Sequence, residues 1–507
     1  MSDAKGLGRR TRQAISWSAV NAIGTNVVRL VVIAVLGRLL APGDFGIVAA
    51  AMTVILFVGI LRDFGVGLAL VQRQALEPEH VEVAFTVSVI QGTVLTLVIA
   101  ATAGPIADFF NMEESASIVR ALALLFVLRS FAIVPTFMLQ REMRFRALSL
   151  VDLAGYFGGS VTSVTLAVRG YGPWSLVWGY GVETVISTTA LVYLWRPPWR
   201  LRWHPRHLRE LLGFGLSKSF GTIVNVFATQ GDYMVLGRVL EKTQLGLYQR
   251  AYELVRFPAN VFSSVAGSVL FSAFSKVQHD PERIGRVFRR STFASALVLL
   301  PASAGLIVLA PEVIRILMGS QWDGAVWPFR IMAMTMLFRT TYKLGDLVGR
   351  STGEMFTIAK WQVVYAALVI GGATISVRWG ILGVACTTSF AITINFIAMS
   401  RIGLRMTTLS VRDLVNAHRT PLVFAGGVGL VTWGVASGLR ASGAPYVLVA
   451  TLAIIMGSTT FVVLIALGLR RGSGDWPWLK ETLAGVFRKK SKARSDSIAK
   501  QSPTDVE

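Results

Sequence analysis

Arg29, Arg62, Arg129, Lys218, Arg256, Arg339 and Lys343 are cations set inside otherwise apolar runs. A charged side chain at a bilayer centre costs about 2.5–3.5 kcal/mol on insertion scales, so each must face a cavity or a partner. Most belong to polar lines at three- and four-residue steps, which places each line on one helical face. The lines are Ser18, Asn21, Thr25 and Arg29; Lys218, Thr222, Asn225, Thr229 and Asp232; Gln249, Glu253, Arg256, Asn260 and Ser263; and Thr335, Arg339, Lys343 and Asp346. Cations outnumber acids along them, which suits an anion. Guanidinium grips phosphate with a bidentate fork, and ammonium acts as a point charge.

Neutralisation is the competing explanation. Glu253 with Arg256, and Lys343 with Asp346, are spaced as local ion pairs, and Arg62 beside Asp63 is placed to snorkel. Arg29, Arg129 and Lys218 have no acid within four residues. For them, pairing across helices with Asp152, Glu183 or Asp232 stays open. Asp232 and Glu253 are candidates to carry a coupling proton or to balance a cation.

Composition says what must position these groups. Hydrophobic residues make up 53% of the 507 and charged residues 15%, against about 25% in soluble domains, so the chain reads as an integral membrane protein. The net charge of +22 sits mainly between the apolar runs, the pattern of membrane loops and not of a nucleic-acid-binding face. One cysteine, Cys386, excludes a disulfide framework or a zinc-cysteine cluster. His80, His204, His207, His279 and His418 all fall between apolar runs, so no intramembrane metal site is expected. No strand leads into a phosphate-cradling glycine loop, so neither a nucleotide nor another cofactor is expected.

A bilayer core takes about 20 helical residues. On that measure fourteen spans are expected, near 15–36, 45–68, 81–104, 118–139, 149–168, 174–195, 211–236, 245–272, 291–310, 327–348, 358–378, 380–400, 420–440 and 446–470. The second and tenth are the more polar, and almost nothing separates the eleventh from the twelfth. With the N-terminus in the cytoplasm, arginines 141, 144, 146, 200, 202, 206, 283, 286, 401 and 405 all fall inside, which satisfies the positive-inside rule. Both termini are then cytoplasmic. In the basic tail, Leu479, Leu483 and Phe487 share a face that suits the anionic inner leaflet.

The triplet Asp-Phe-Gly occurs at 44–46 and again at 63–65. A kinase uses it over ATP, but here Pro42, Gly43 and Asp44 read as turn and helix-start residues. The frame around the first copy is more informative. "LGRLLAPGDFG" at 36–46 returns as "LGRVLEKTQLG" at 236–246, and "EPEHVEVAF" at 77–85 returns as "DPERIGRVF" at 280–288. Both pairs fall at equivalent points of the span order, six spans apart, so the halves have parallel orientation. The expected build is all-α: an N-lobe over 1–195 and a basic linker over 196–210, then a C-lobe over 211–400. Two extra spans over 401–470 and a tail over 471–507 complete it.

"LGRLLAPGDFGIVAAAMTV", followed by "LRDFGVGLALVQR", resembles the N-terminal signature of bacterial polysaccharide transporters, the Wzx-type oligosaccharide flippases. These belong to the multidrug/oligosaccharidyl-lipid/polysaccharide exporter superfamily. The branch that exports colanic acid, succinoglycan and teichuronic acid units is the most similar. The resemblance implies an inner-membrane flippase, not an enzyme, moving undecaprenyl-diphosphate-linked oligosaccharides to the periplasmic leaflet. It implies a cleft lined by spans one, two, seven and eight, and as partners the polyprenyl diphosphate substrate, membrane lipids, a polysaccharide polymerase and chain-length proteins. Alternatives on the same fold are a lipid II flippase and a multidrug-and-toxin antiporter. The antiporter would be expected to show acids in its cavity, where the first span here carries Arg29. A membrane polymerase or ligase would need a long outer catalytic loop, and the outer loops here are short.

Overall fold

The computed structural model describes residues 24, 26, 28–63, 66–73, 75–275, 280–472, 474–481 and 484. Within them it leaves out the side chains of 61–63, 211–222, 263–275, 351 and 471. The described residues are mostly helical, with no strand among them. Among the described residues, eight stretches are long and apolar enough to cross a membrane, and one of these, Met355–Arg405, contains two expected spans. Many large apolar side chains point outward, among them Leu97, Phe157, Leu430, Trp433 and Val462. A bilayer solvates such a surface and water does not.

Helix ends follow local chemistry. The first helix, α1, is described over 28–39, and α2 runs Pro42–Asp63. The Asp44 side chain accepts the Ala41 amide at 3.0 Å, three residues back, in the manner of a capping box. Asp44 is thus a helix-start residue, as its neighbours imply. A short α3 (Val66–Gln72) follows, then α4 (Pro78–Ala101), which opens with proline in its first turn. A second short helix, α5 (Ala103–Phe110), was not expected from sequence. The bundle continues with α6 (Ser115–Arg141), α7 (Phe145–Val168) and α8 (Pro173–Leu194).

The second half repeats this order. Helix α9 (Pro205–Val239) leads into α10 (Lys242–Ser275) and α11 (Pro281–Val308), and a short α12 (Ala310–Met318) occupies the place of α5. The expected tenth span is broken at Thr335 into α13 (Val326–Met334) and α14 (Met336–Ser351). Helices α15 (Met355–Ser376) and α16 (Gly380–Arg405) are separated by one tight turn, Val377–Trp379, closed by Gly380 at φ 67°. Glycine alone adopts that backbone freely. Helices α17 (Val411–Ala441) and α18 (Tyr446–Arg471) pack against each other, and α17 lies along α11.

The tail departs from the expectation of a helix on the lipid surface. Trp476 is buried against Phe293 and Phe424, Leu479 packs at the same cluster, and Asp475 pairs with Arg289 at 2.7 Å. Aromatic burial against α11 and α17 outcompetes contact with lipid for this part of the tail. Leu483 and Phe487 lie outside the described residues.

Candidate functional site

A cavity of about 430 Å³ lies where α1, α2, α7, α8, α9 and α10 meet. Its charged walls are Arg29, Arg250 and Arg256 against Glu183 and Glu253, with Gln249 and Asn260 among the polar groups. Tyrosines 156, 180, 233 and 252 line the rest of the polar face. Arg29 lies 5.3 Å from the Tyr156 ring centroid and Arg256 5.5 Å from that of Tyr252, and among the described residues neither guanidinium is in direct ion-pair contact with a carboxylate.

The local ion pairs read from spacing are rearranged. Glu253 pairs with Arg250, which is buried and stands 3.8 Å over the Phe45 ring, and Arg256 is left to the cavity. Asp346 pairs with Arg350 at 2.8 Å, and Lys343 is exposed. Both corrections have one cause. A helix offers partners on either side of an acid, and packing chooses between them.

Of the residues singled out in sequence, Arg29, Arg256, Asn260 and Glu253 line this cavity. Arg129 lines a neighbouring pocket of about 320 Å³ with Asp152 and Thr184, and its Nε donates to Thr184 Oγ1 at 3.3 Å. Glu183 lines both spaces. Arg339 sits behind the wall, 4.5 Å from the centroid of the same Tyr252 ring, with Nε and one terminal nitrogen buried and without hydrogen-bond partners. Asp232 is buried away from the cavity and accepts the Tyr248 hydroxyl at 2.6 Å; that hydroxyl lies 3.3 Å from Thr388 Oγ1. Lys343 and Asn225 are exposed and do not line it. Asn21 and Thr25, and the side chains of Arg62 and Lys218, lie outside the described residues. Sequence reasoning missed Arg250, whose signal was an acid three residues on in an apolar run. It also missed the tyrosines, which spacing alone does not separate from core.

One end of the cavity is shut by the repeated motif. A methyl built on Gly46 would sit 1.7 Å from the Lys242 carbonyl oxygen, and one on Gly246 would sit 1.9 Å from that of Pro42. The arginines reciprocate. Arg38 donates to the Ile316 carbonyl in the last turn of α12, and Arg238 donates to the Asp108 and Phe109 carbonyls in the last turn of α5, at 3.1 and 2.7 Å. Each therefore satisfies helix-end carbonyls that lack intrahelical partners. Trp322 and Gln321 both donate to the Gly37 carbonyl, and Lys242 pairs with Glu114 at 3.0 Å. The 196–210 segment docks elsewhere, on α4, where the Arg202 amide donates to Thr86 Oγ1 at 3.0 Å.

This fold is shared with a solved membrane-protein structure. The lipid II flippase MurJ, in an inward closed conformation, matches with a TM-score of 0.75 at 12% identity, over 90% of this chain and 99% of that one. A family model described as polysaccharide biosynthesis protein matches residues 35–327, more than half of the chain. The succinoglycan biosynthesis transport protein ExoT of Rhizobium meliloti (strain 1021) is 28% identical over 358 residues, covering 70% of this chain and 72% of that protein. The teichuronic acid biosynthesis protein TuaB of Bacillus subtilis (strain 168) is 22% identical over 437 residues, covering 84% and 89%. The chain belongs to this polysaccharide biosynthesis family.

Proposed function

We propose that the protein moves an undecaprenyl-diphosphate-linked oligosaccharide from the cytoplasmic to the periplasmic leaflet of the bacterial inner membrane. Two six-helix lobes, 1–195 and 211–400, alternate access to the cavity between them, and both termini are cytoplasmic. Fourteen crossings account for the helices and for the distribution of arginines. The observation that carries this reading is the cavity itself, where Arg29 and Arg256 stand beside rings and, among the described residues, out of direct ion-pair contact with a carboxylate. The diphosphate binds there by charge-assisted hydrogen bonds. The sugars lie toward Gln249 and Asn260, and the prenyl chain stays in lipid. With the repeat-motif end closed, the substrate enters from the opposite end.

Asp232 is the candidate coupling group. It is buried, and a chain of hydroxyls through Tyr248 leads from it to Thr388. Protonation there would alter packing among α9, α10 and α16, behind the cavity wall.

The reading is tested by polymer export in a strain that depends on this gene, at matched protein levels. Arg29→Ala or Arg256→Ala is expected to lower export by about tenfold or more, the worth of one charge-assisted hydrogen bond. Unchanged export in both variants would remove the cationic cavity from the mechanism. Lysine at either position restores export only if charge suffices without the fork.

A further inference from the structure

Away from the cavity, the start of α4 and the first turns of α9 meet in a cluster of donors that the transport reading leaves without a role. His80 is buried, and its ring lies edge-on to that of His207 at 4.4 Å. His207 Nε2 is 3.1 Å from Glu77 Oε2, and His80 Nδ1 is 3.9 Å from the same oxygen. The three ligand atoms of Glu77, His80 and His207 all lie within 4.8 Å of one another. Two histidines and one carboxylate form a donor set that zinc takes in open, four-coordinate sites.

The surroundings arrange these atoms as a metal site requires. Metal-bound histidines typically hand their second nitrogen to a carboxylate, which fixes tautomer and ring orientation. His80 Nε2 lies 3.3 Å from Glu210 Oε2, and Arg73 holds that carboxylate at 2.7 Å. Arg206 lies 3.3 Å from its other oxygen. Arg73 and Arg206 thus hold the Glu210 carboxylate facing His80 Nε2. With Nε2 carrying the proton, Nδ1 of His80 faces Glu77 with its lone pair. Its partner there is the Glu77 amide at a long 3.3 Å. His207 Nδ1 is buried with no hydrogen-bond partner, which is poor design for a pure hydrogen-bond clasp.

Distances decide how much must move. Ligand bonds of about 2.0–2.1 Å place tetrahedral donors about 3.4 Å apart. The two histidine ligand nitrogens lie within 4.8 Å of each other; the Glu77–His207 separation meets the tetrahedral value already, and the His80–Glu77 separation needs to close by about half an ångström. Glu77 is the exposed member, with 61% of its side chain accessible, and has the freedom to supply that movement.

We infer that Glu77, His80 and His207 form a binding site for a divalent transition metal of the zinc type, pinning the first turns of α9 to the start of α4. The metal joins the segment that enters the second half of the chain to the first half. It is a brace at the linker, with a solvent-facing fourth position.

The test uses full-length protein in detergent, freed of any histidine tag and of bound metal, titrated with Co²⁺ alone. Wild type is expected to take up one equivalent with visible d–d absorption, and Zn²⁺ is expected to displace it. Glu77→Gln and His207→Gln lie at partly accessible positions and keep the fold. Each is expected to weaken binding by tenfold or more, while His418→Gln, remote from the cluster, leaves it intact. Absence of stoichiometric Co²⁺ binding in wild type, or equal binding in all variants, overturns the inference and leaves a hydrogen-bonded clasp. A helical circular dichroism spectrum unchanged among the variants is required in either case.

Discussion

Replacing Gly46 by alanine is expected to force open the end of the cavity closed by the repeated motif. The added methyl would lie 1.7 Å from the Lys242 carbonyl oxygen. Carbon and oxygen in close helix contacts settle at about 3.3–3.6 Å, so α2 and α10 must part by about 1.6 Å at their starts. Lys242 offers backbone at that point, not a flexible side chain, so the overlap cannot be relieved by a rotamer change. Overpacking of this kind costs about 1–3 kcal/mol. Charged to the closed state alone, it shifts the closed-to-open ratio by about 5- to 150-fold. Nitroxide labels on Leu39 and Val239, exposed and repeat-equivalent, would report the change as a longer distance population in pulsed electron resonance. Cys386, the one native cysteine, is exposed and has to be replaced first. Gly43→Ala is the matched control, because its methyl would meet Lys242 Cγ at an ordinary 3.5 Å. A folded Gly46→Ala protein with the wild-type distance distribution, or an equal shift in the control, would refute the reasoning.

Other outcomes follow from the same geometry. Removing Arg38 and Arg238 together is expected to open the same end, read by the same labels, since the carbonyls of α5 and α12 then lose their donors. Trp476→Ala is expected to lower stability by about 3 kcal/mol or more, seen as a lower thermal midpoint in detergent, because it empties a site between Phe293 and Phe424. Ser410→Ala removes the hydroxyl that accepts the Asp413 amide at the start of α17, costing about 1 kcal/mol by the same measurement. Asp232→Asn keeps the acceptor for Tyr248 and removes the charge. It is expected to abolish the pH dependence of export with the fold intact, and a retained dependence would point to another carboxylate.

The helical build was legible in the sequence because apolar runs of membrane length leave few alternatives, and helix occupies most of the described part of each expected run, with a break at Thr335 in the tenth. The short helices α5 and α12 were not legible. Eight or nine residues between two long apolar runs look like loop, and only their docking under Arg238 and Arg38 makes them elements. Within the cavity, one-face spacing found Arg29, Glu253, Arg256 and Asn260. The same spacing on α9 and α14 selected Asp232 and Arg339, which packing turns toward Tyr248 and the back of Tyr252. Periodicity gives an angle around one helix axis. It carries nothing about which neighbour covers that face, and so could not separate lining from second layer. The Glu77–His80–His207 cluster was invisible for a related reason: its members stand in two segments more than a hundred positions apart.

The repeat itself changes meaning once the contacts are seen. As sequence, Leu-Gly-Arg at 36–38 and 236–238 and the glycines at 46 and 246 marked an internal duplication. In the fold these are the positions at which the two copies touch. Each glycine admits the other copy's backbone, and each arginine reaches a helix end in the opposite half of the chain. A duplication that served only to build two similar bundles would place no special demand on contacts between them. Retention of the same residue types at both faces of one contact is what a reversible closure demands. Closure rests on backbone proximity and helix-end carbonyls, which have steep distance dependence, and also on buried apolar side chains, among them Leu36, Phe45, Leu245, Met318 and Trp322, that parting would have to uncover or repack. On the proposed alternating-access reading this is the end that must open, and the same pairs that identify the duplication are those whose loss is expected to favour its opening.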